Sequence, residues 1–142
     1  MLSYRHAYHA GNCADVLKHL VIERILNYLV QKPKPCFYLD THAGAGLYAL
    51  DADIANKTAE YHHGVSRILS CSSVPVVMQN YIAIVNTCRQ KEGAFAYPGS
   101  PWLAAYCLRD VDRLAFCELH PQDAPMLPEN LQLDSRHNLS LK

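Results

Sequence analysis

Cys36-Phe37-Tyr38-Leu39-Asp40, running straight into Thr41-His42-Ala43-Gly44-Ala45-Gly46, is the stretch on which the fold turns. The apolar run is too short for a helix and ends abruptly in small residues, so it reads as a buried parallel strand delivering a loop toward a ligand. A second such run, Arg113-Leu114-Ala115-Phe116-Cys117-Glu118-Leu119, ends in an acid and is broken by His120-Pro121. Strand, Gly-x-Gly turn, helix and strand ending in Glu is the order of a doubly wound sheet. Glycine there lets the backbone approach a cofactor, and the later acid can accept hydrogen bonds from ribose hydroxyls. The turn lacks the third glycine of the dinucleotide fingerprint, which favours S-adenosylmethionine, with no phosphate to cradle, over a pyrophosphate ligand.

Upstream, from Asn12 to about Gln31, the apolar positions Val16, Leu17, Leu20, Val21, Ile25, Tyr28 and Leu29 recur at three-and-four spacing. That predicts an amphipathic helix, capped by Asn12 or Asp15 and stopped by Lys32-Pro33-Lys34-Pro35. Downstream, Asp40 and Glu118 lie 78 residues apart, whereas a plain βαβ unit puts the acid about 20 residues beyond its turn. The excess, residues 47–99, reads as a helical insertion with stretches near 57–70 and 76–91 on either side of Ser72-Ser73-Val74-Pro75. Such an insertion either shapes substrate access or only covers the sheet edge. Pro101 suits the first turn of a helix through Arg109 with Ser100 as its cap. A Pro-rich helix or loop then runs to about Asp134, and Arg136–Leu141 opens a third strand. Three segments result: 1–46 with the tail, first helix, first strand and cofactor loop; 47–99, the insertion; and 100–142, the continuing sheet.

Composition narrows the function classes. In 142 residues, half are hydrophobic, 18% are charged, and 13 basic side chains balance 13 acidic ones. That is a globular composition, and zero net charge argues against a protein that coats nucleic acid over its whole surface. Residues 1–40 are the more basic part, with Arg5, Lys18, Arg24, Lys32 and Lys34 against three acids. No apolar run approaches the roughly 18 residues of a membrane span, and the N-terminus has no apolar secretory core, so a cytoplasmic location is expected. The six cysteines include no C-x₂-C pair and read as buried free thiols. His6, His9 and Cys13 gather no further ligand at metal spacing, so no metal is expected.

Several blocks together, in order, are similar to one family. They are Met1-Leu2-Ser3-Tyr4-Arg5-His6, His9-Ala10-Gly11-Asn12, Ala14-Asp15-Val16-Leu17-Lys18-His19, Tyr38 through Gly46, Tyr97-Pro98-Gly99-Ser100-Pro101 and Glu118-Leu119-His120-Pro121. They resemble the RlmJ family, bacterial S-adenosylmethionine-dependent methyltransferases that modify the N6 amine of one adenine in 23S ribosomal RNA; the same family has been labelled a protein of external-DNA catabolism. The resemblance implies an α/β fold, the N-terminal part of a Rossmann-like methyltransferase sheet. It implies that Lys18, with His19 beside it, and His42 lie near the methionine part of the cofactor, that Ser100 contacts it, and that Glu118 holds the ribose hydroxyls. The loop from Asp40 through Gly44 to Gly46 would pass beneath the methionine and ribose. Tyr4 and His6 would sit over the active site and serve catalysis or substrate placement. The chemistry suits these roles: Lys18 is a point charge for a carboxylate, His6 can shuttle a proton near neutral pH, and Tyr4 can stack on an unpaired base. Read without the family, Lys18 is a solvated helix residue, Tyr4 a packed tail residue and Glu118 a strand-end acid.

The chain departs from that family in lacking the Asp-Pro-Pro-Tyr catalytic loop, whose acid and aromatic hold the target amine and flipped base. The Asp-Gly pair expected next to the adenine ring is missing too. The expectation is an N-terminal portion of a longer methyltransferase, monomeric at full length and inactive alone, with 23S rRNA as its partner. A sheet edge and an apolar face should then stand uncovered. A non-catalytic nucleic-acid handling role in the use of external DNA is the rival reading.

Overall fold

The computed structural model describes residues 4–132 and 137–140. Met1-Leu2-Ser3 of the N-terminal block, and Arg136 and Leu141 at the ends of the expected third strand, lie outside the described residues.

The first helix, α1 (Cys13–Leu29), begins where Asn12 accepts the Asp15 backbone N–H at 2.8 Å, removing one orphan donor of the first turn. Its end is held from a distance. The Arg109 guanidinium donates to the carbonyls of Val30, Lys32 and Lys34, gathering the Lys-Pro-Lys-Pro turn, and also pairs with buried Asp112. Asp112 accepts the Cys36 N–H at 2.9 Å, so one ion pair both closes the helix and starts β1 (Phe37–Asp40).

Next come β2 (Leu47–Ala49), α2 (Asp53–Asn56), α3 (Val65–Leu69), α4 (Val76–Glu92) and β3 (Ala96–Pro98). They are followed by α5 (Ser100–Cys107), β4 (Arg113–Cys117), α6 (Met126–Leu131) and β5 (His137–Ser140). The result is a mixed α/β fold with a small parallel sheet in the order β1-β4-β5, in which Phe37 pairs with Arg113 and Asp40 with Phe116. Segment 47–99 is not wholly helical: β2 and β3 pair antiparallel, Tyr48 opposite Tyr97. Three-residue strands leave almost no periodicity to detect.

The core gathers Leu50, Tyr81, Val85, Tyr97, Leu103, Leu114, Phe116 and Leu127, all 0–1% exposed. Burial of each such side chain stabilises the fold by about 1.5–3 kcal/mol. The structure departs from the sequence expectations at α1, β1 and the thiols. First, α1 buries Asp15, Val16, His19, Glu23 and Leu26, while Leu17, Val21, Ile25, Tyr28 and Leu29 face outward. Of the apolar stripe only Val16 and Leu20 face the core and the rest lies away from it, because the inward side is largely spent on a polar network. Second, β1 is parallel but not buried: it is a sheet-edge strand in this chain, with Phe37 64% and Leu39 52% exposed. The expected uncovered apolar face is therefore present, formed by α1 and β1 together. The thiols are all free, yet of the six only Cys88 is fully buried, and Cys13 and Cys71 are exposed. No helix among the described residues is long and apolar enough to cross a membrane.

Candidate active site

The loop after β1 owes its shape to three contacts beneath it. Asp40 accepts the Ser100 hydroxyl proton at 2.6 Å, that of Tyr38 at 3.1 Å and the His42 backbone N–H at 3.1 Å. Ser100 is therefore not the cap of α5: Gly99 holds that position, and the Ser100 side chain braces Asp40 instead. Gly44, at φ +63°, turns the chain where an added Cβ would run into the Tyr48 hydroxyl, so only glycine fits without a shift. Gly46, at φ +76°, presses against Leu127 of α6 and accepts the Gly99 N–H. On the α6 side, Asn130 donates to the carbonyl of Ala45 at 2.7 Å.

Across the loop stands Glu118, just past β4. One carboxylate oxygen accepts the Gly44 N–H and the other the His120 N–H, each at 2.6 Å. Each oxygen keeps a further lone pair. The acid thus joins the two loops that follow β1 and β4 while retaining acceptor capacity.

The N-terminal segment closes the third side. Arg5 pairs with buried Asp123 at 2.8 Å, a charge-assisted contact of the stronger kind. His6 reaches Asp15 at 3.0 Å and sets its ring edge-on to Tyr48, centroids 5.3 Å apart. Tyr4 hydrogen-bonds His6 Nδ1 at 2.9 Å and stacks on His9. Between these walls opens a cleft of about 490 Å³ lined by Tyr4, His6, Lys18, His42, Gly44 and Glu118, within the usual range for small-molecule sites. A smaller adjoining hollow is lined by His6, Lys18, His19, His42 and Ser100. Eight of the ten residues singled out in the sequence line one or the other. Asp40 and Gly46 line neither and instead shape the loop.

Asp15, treated above only as a cap, is the residue that sequence reasoning missed. It is 1% exposed. Burial is the largest influence on it and would raise its pKa. The His6 hydrogen bond, the electrostatic influence of the neighbouring His19 and His6 rings, and the Gly11 N–H together outweigh that and hold the carboxyl well below its ordinary value. His19 is the reverse case: burial keeps its imidazole neutral, pulling its pKa down to about 4 against the raising influence of Asp15. The available signal was spacing, since Asp15, Lys18 and His19 at i, i+3 and i+4 share one helix face. Among the described residues, no group of three or more His, Cys, Asp or Glu is placed to hold a metal ion.

The model of a family described as Ribosomal RNA large subunit methyltransferase D, RlmJ, matches residues 33–141. The chain belongs to this family. Ribosomal RNA large subunit methyltransferase J of Escherichia coli (strain K12) is 48% identical over 136 residues, 96% of this chain and 49% of that protein. The protein of the same name from Haemophilus influenzae (strain ATCC 51907 / DSM 11121 / KW20 / Rd) is 43% identical over 144 residues, covering all of this chain and 50% of that one. A crystal structure of a Legionella pneumophila (strain Philadelphia 1) protein superposes with a TM-score of 0.76 at 37% identity, over 94% of this chain and 48% of that one. The chain thus spans about half the length of the curated relatives it matches.

Proposed function

We propose that this chain is the cofactor-binding part of an S-adenosylmethionine-dependent methyltransferase of a Rossmann-like fold, acting in the cytoplasm on the N6 amine of an adenine in 23S rRNA. Segment 47–99 is its insertion subdomain, between 1–46 and 100–142. The observation that carries the reading is Glu118: a carboxylate braced by Gly44 and His120 at the mouth of a cleft, with acceptor lone pairs left over. That pair of acceptors suits a nucleoside-bearing cofactor. Two vicinal ribose hydroxyls want a paired acceptor, and Gly44 leaves the loop backbone free of a side chain beside them.

Lys18, 60% exposed at its side chain, would take the cofactor's carboxylate as a point charge, with His42 and Ser100 lining the same hollow. Bound S-adenosylmethionine supplies an electrophilic methyl group on a sulfonium. The chain's own part is to orient: Tyr4 offers a ring on which a base can stack, and His6 behind it offers a proton-handling group. In-line transfer also needs the amine held by an acid-bearing loop, for which this chain carries no Asp-Pro-Pro-Tyr.

The test has two arms. Calorimetry with S-adenosylhomocysteine should show at least tenfold weaker binding for Glu118→Ala and for Lys18→Ala, and unchanged affinity in both refutes the site. Transfer of labelled methyl to 23S rRNA lacking the modification, by the protein at full length, separates the enzyme from a non-catalytic nucleic-acid handling protein, which transfers none.

A further inference from the structure

Three nitrogen donors converge on a single oxygen of Asp15. His6 Nε2 lies 3.0 Å from Oδ1, Lys18 Nζ 3.4 Å and His19 Nε2 3.6 Å, while the Gly11 N–H occupies Oδ2 at 3.0 Å. The carboxylate is buried, and when ionised it can only accept.

We propose that Asp15 is a positioning residue: by accepting the Nε2 proton of His6 it fixes that imidazole's tautomer, and through it makes the Tyr4 hydroxyl oxygen a hydrogen-bond acceptor toward the cleft. This rests on the methyltransferase reading for its purpose, not for its geometry.

Facing an ionised oxygen, His6 Nε2 must carry a hydrogen. In the neutral ring Nδ1 is then a lone pair, and the Tyr4 hydroxyl, 2.9 Å away, spends its one proton there. The remaining lone pairs of Tyr4, which is 63% exposed at the mouth of the cleft, are left to accept a proton from an incoming group. An amine N–H is such a group and a carbonyl is not. Asp15 also holds Lys18 from below, so the cation and the phenolic acceptor keep a common anchor.

The buried side of the network points the same way. His19 is neutral, with Nε2 toward Asp15, so its Nδ1 accepts from Tyr97 at 3.1 Å, and Tyr97 in turn accepts from Tyr81 at 2.9 Å. The two hydrogen bonds along Tyr81, Tyr97 and His19 therefore both run toward the ring that faces the carboxylate at 3.6 Å. One anion sets the polarity of both branches.

The test reads imidazole ¹⁵N–¹H correlations of the ligand-free chain at pH 7. The expected result is a downfield, slowly exchanging Nε2 proton on His6 with Nδ1 unprotonated. That proton signal should be lost in Asp15→Asn, which cannot offer acceptors on both sides, and kept in Asp51→Asn, an exposed control. An Nδ1-protonated His6 in the wild type overturns the proposal even if Asp15→Asn fails to fold, and so does an unchanged His6 proton in a folded Asp15→Asn. In the full-length protein, Asp15→Asn should lower kcat at least tenfold with KM for RNA within twofold. An equal kcat in a folded variant also overturns it. A wild type with the expected spectrum but no methyl transfer leaves the positioning supported and defeats only the methyltransferase reading.

Discussion

Gly44 and Tyr48 offer a quantitative check on how the loop is built. Replacing Gly44 with alanine asks an L-residue to sit at φ +63°, which costs about 1–2 kcal/mol. It also drives a methyl group into the hydroxyl of Tyr48, a ring only 7% exposed and already edge-on to His6. Displacing a packed group of this kind adds about 1–2 kcal/mol, for about 3 kcal/mol in all. Tyr48→Phe alone removes the acceptor of the Ala45 N–H, made at 3.2 Å, and should cost about 1 kcal/mol. In the double variant the collision disappears, since the next atom of the ring, Cζ, lies 3.5 Å from the added methyl, an ordinary contact. The pair should then cost about 2–3 kcal/mol rather than the roughly 4 kcal/mol of the sum, a coupling of about 1–2 kcal/mol. Urea unfolding followed by the fluorescence of Trp102, the sole tryptophan, measures all four corners of the cycle. Additivity to within about 0.5 kcal/mol would refute the collision and leave only the backbone conformation as the reason for glycine.

Asp112 is held well below its ordinary carboxylate value of 3.8, first by the Arg109 hydrogen bond. Its contribution is therefore present above the unfolded-state pKa and lost as pH falls below it, and Asp112→Asn should flatten the acid side of the stability profile while leaving its slope between pH 6 and 8 alone. His19 acts over a higher window: its pKa is about 4 folded against 6.5 unfolded. Stability should fall by about 3 kcal/mol as pH drops from 7 to 4, because only the unfolded chain takes up that proton, and His19→Gln should remove most of that slope in urea titrations at intermediate pH. On the outward face, Ile25→Glu and Phe37→Glu should each cost this chain less than about 1 kcal/mol and reduce its self-association in sedimentation; a loss as large as that of Leu103→Ala, about 2–5 kcal/mol, would mean that the face is covered.

Local signals proved legible where a single residue type decides the outcome. Asn12 caps α1, the Lys-Pro-Lys-Pro turn follows its end, Pro101 lies in the first turn of α5, and the two apolar runs are strands paired in parallel. Of the ten residues singled out, those that follow the two strands share one cleft because a loop after a strand and an acid after its neighbour must face the same way; Tyr4, His6, Lys18 and His19 were named from the family resemblance alone. What stayed hidden depends on partners far away in sequence. Which side of α1 points inward is decided by Tyr97 and Tyr81, some 60 to 80 positions on, whose hydroxyls draw His19 into the interior. The β2–β3 pair is too short to show a period. Ser100 matches the signature of a helix cap, yet a half-buried carboxylate 60 positions upstream offers its hydroxyl a stronger partner than a backbone N–H does.

Helix α1 has one consequence for how this protein tolerates change. Most surface helices keep one side that mutation can reach cheaply, and drift collects there. Here the inward side carries Asp15, His19 and Glu23, each of which loses its partners on replacement, while the outward side exposes Leu17, Val21, Ile25 and Tyr28, with Ile25 and Leu29 beside Phe37. A saturation scan of α1 read twice, once for folding of this chain and once for activity of the full-length protein, should give two nearly opposite maps. Folding would forgive the outward stripe and punish the polar side, and activity would punish both, leaving Arg24 and a few exposed neighbours as the only silent positions on the helix.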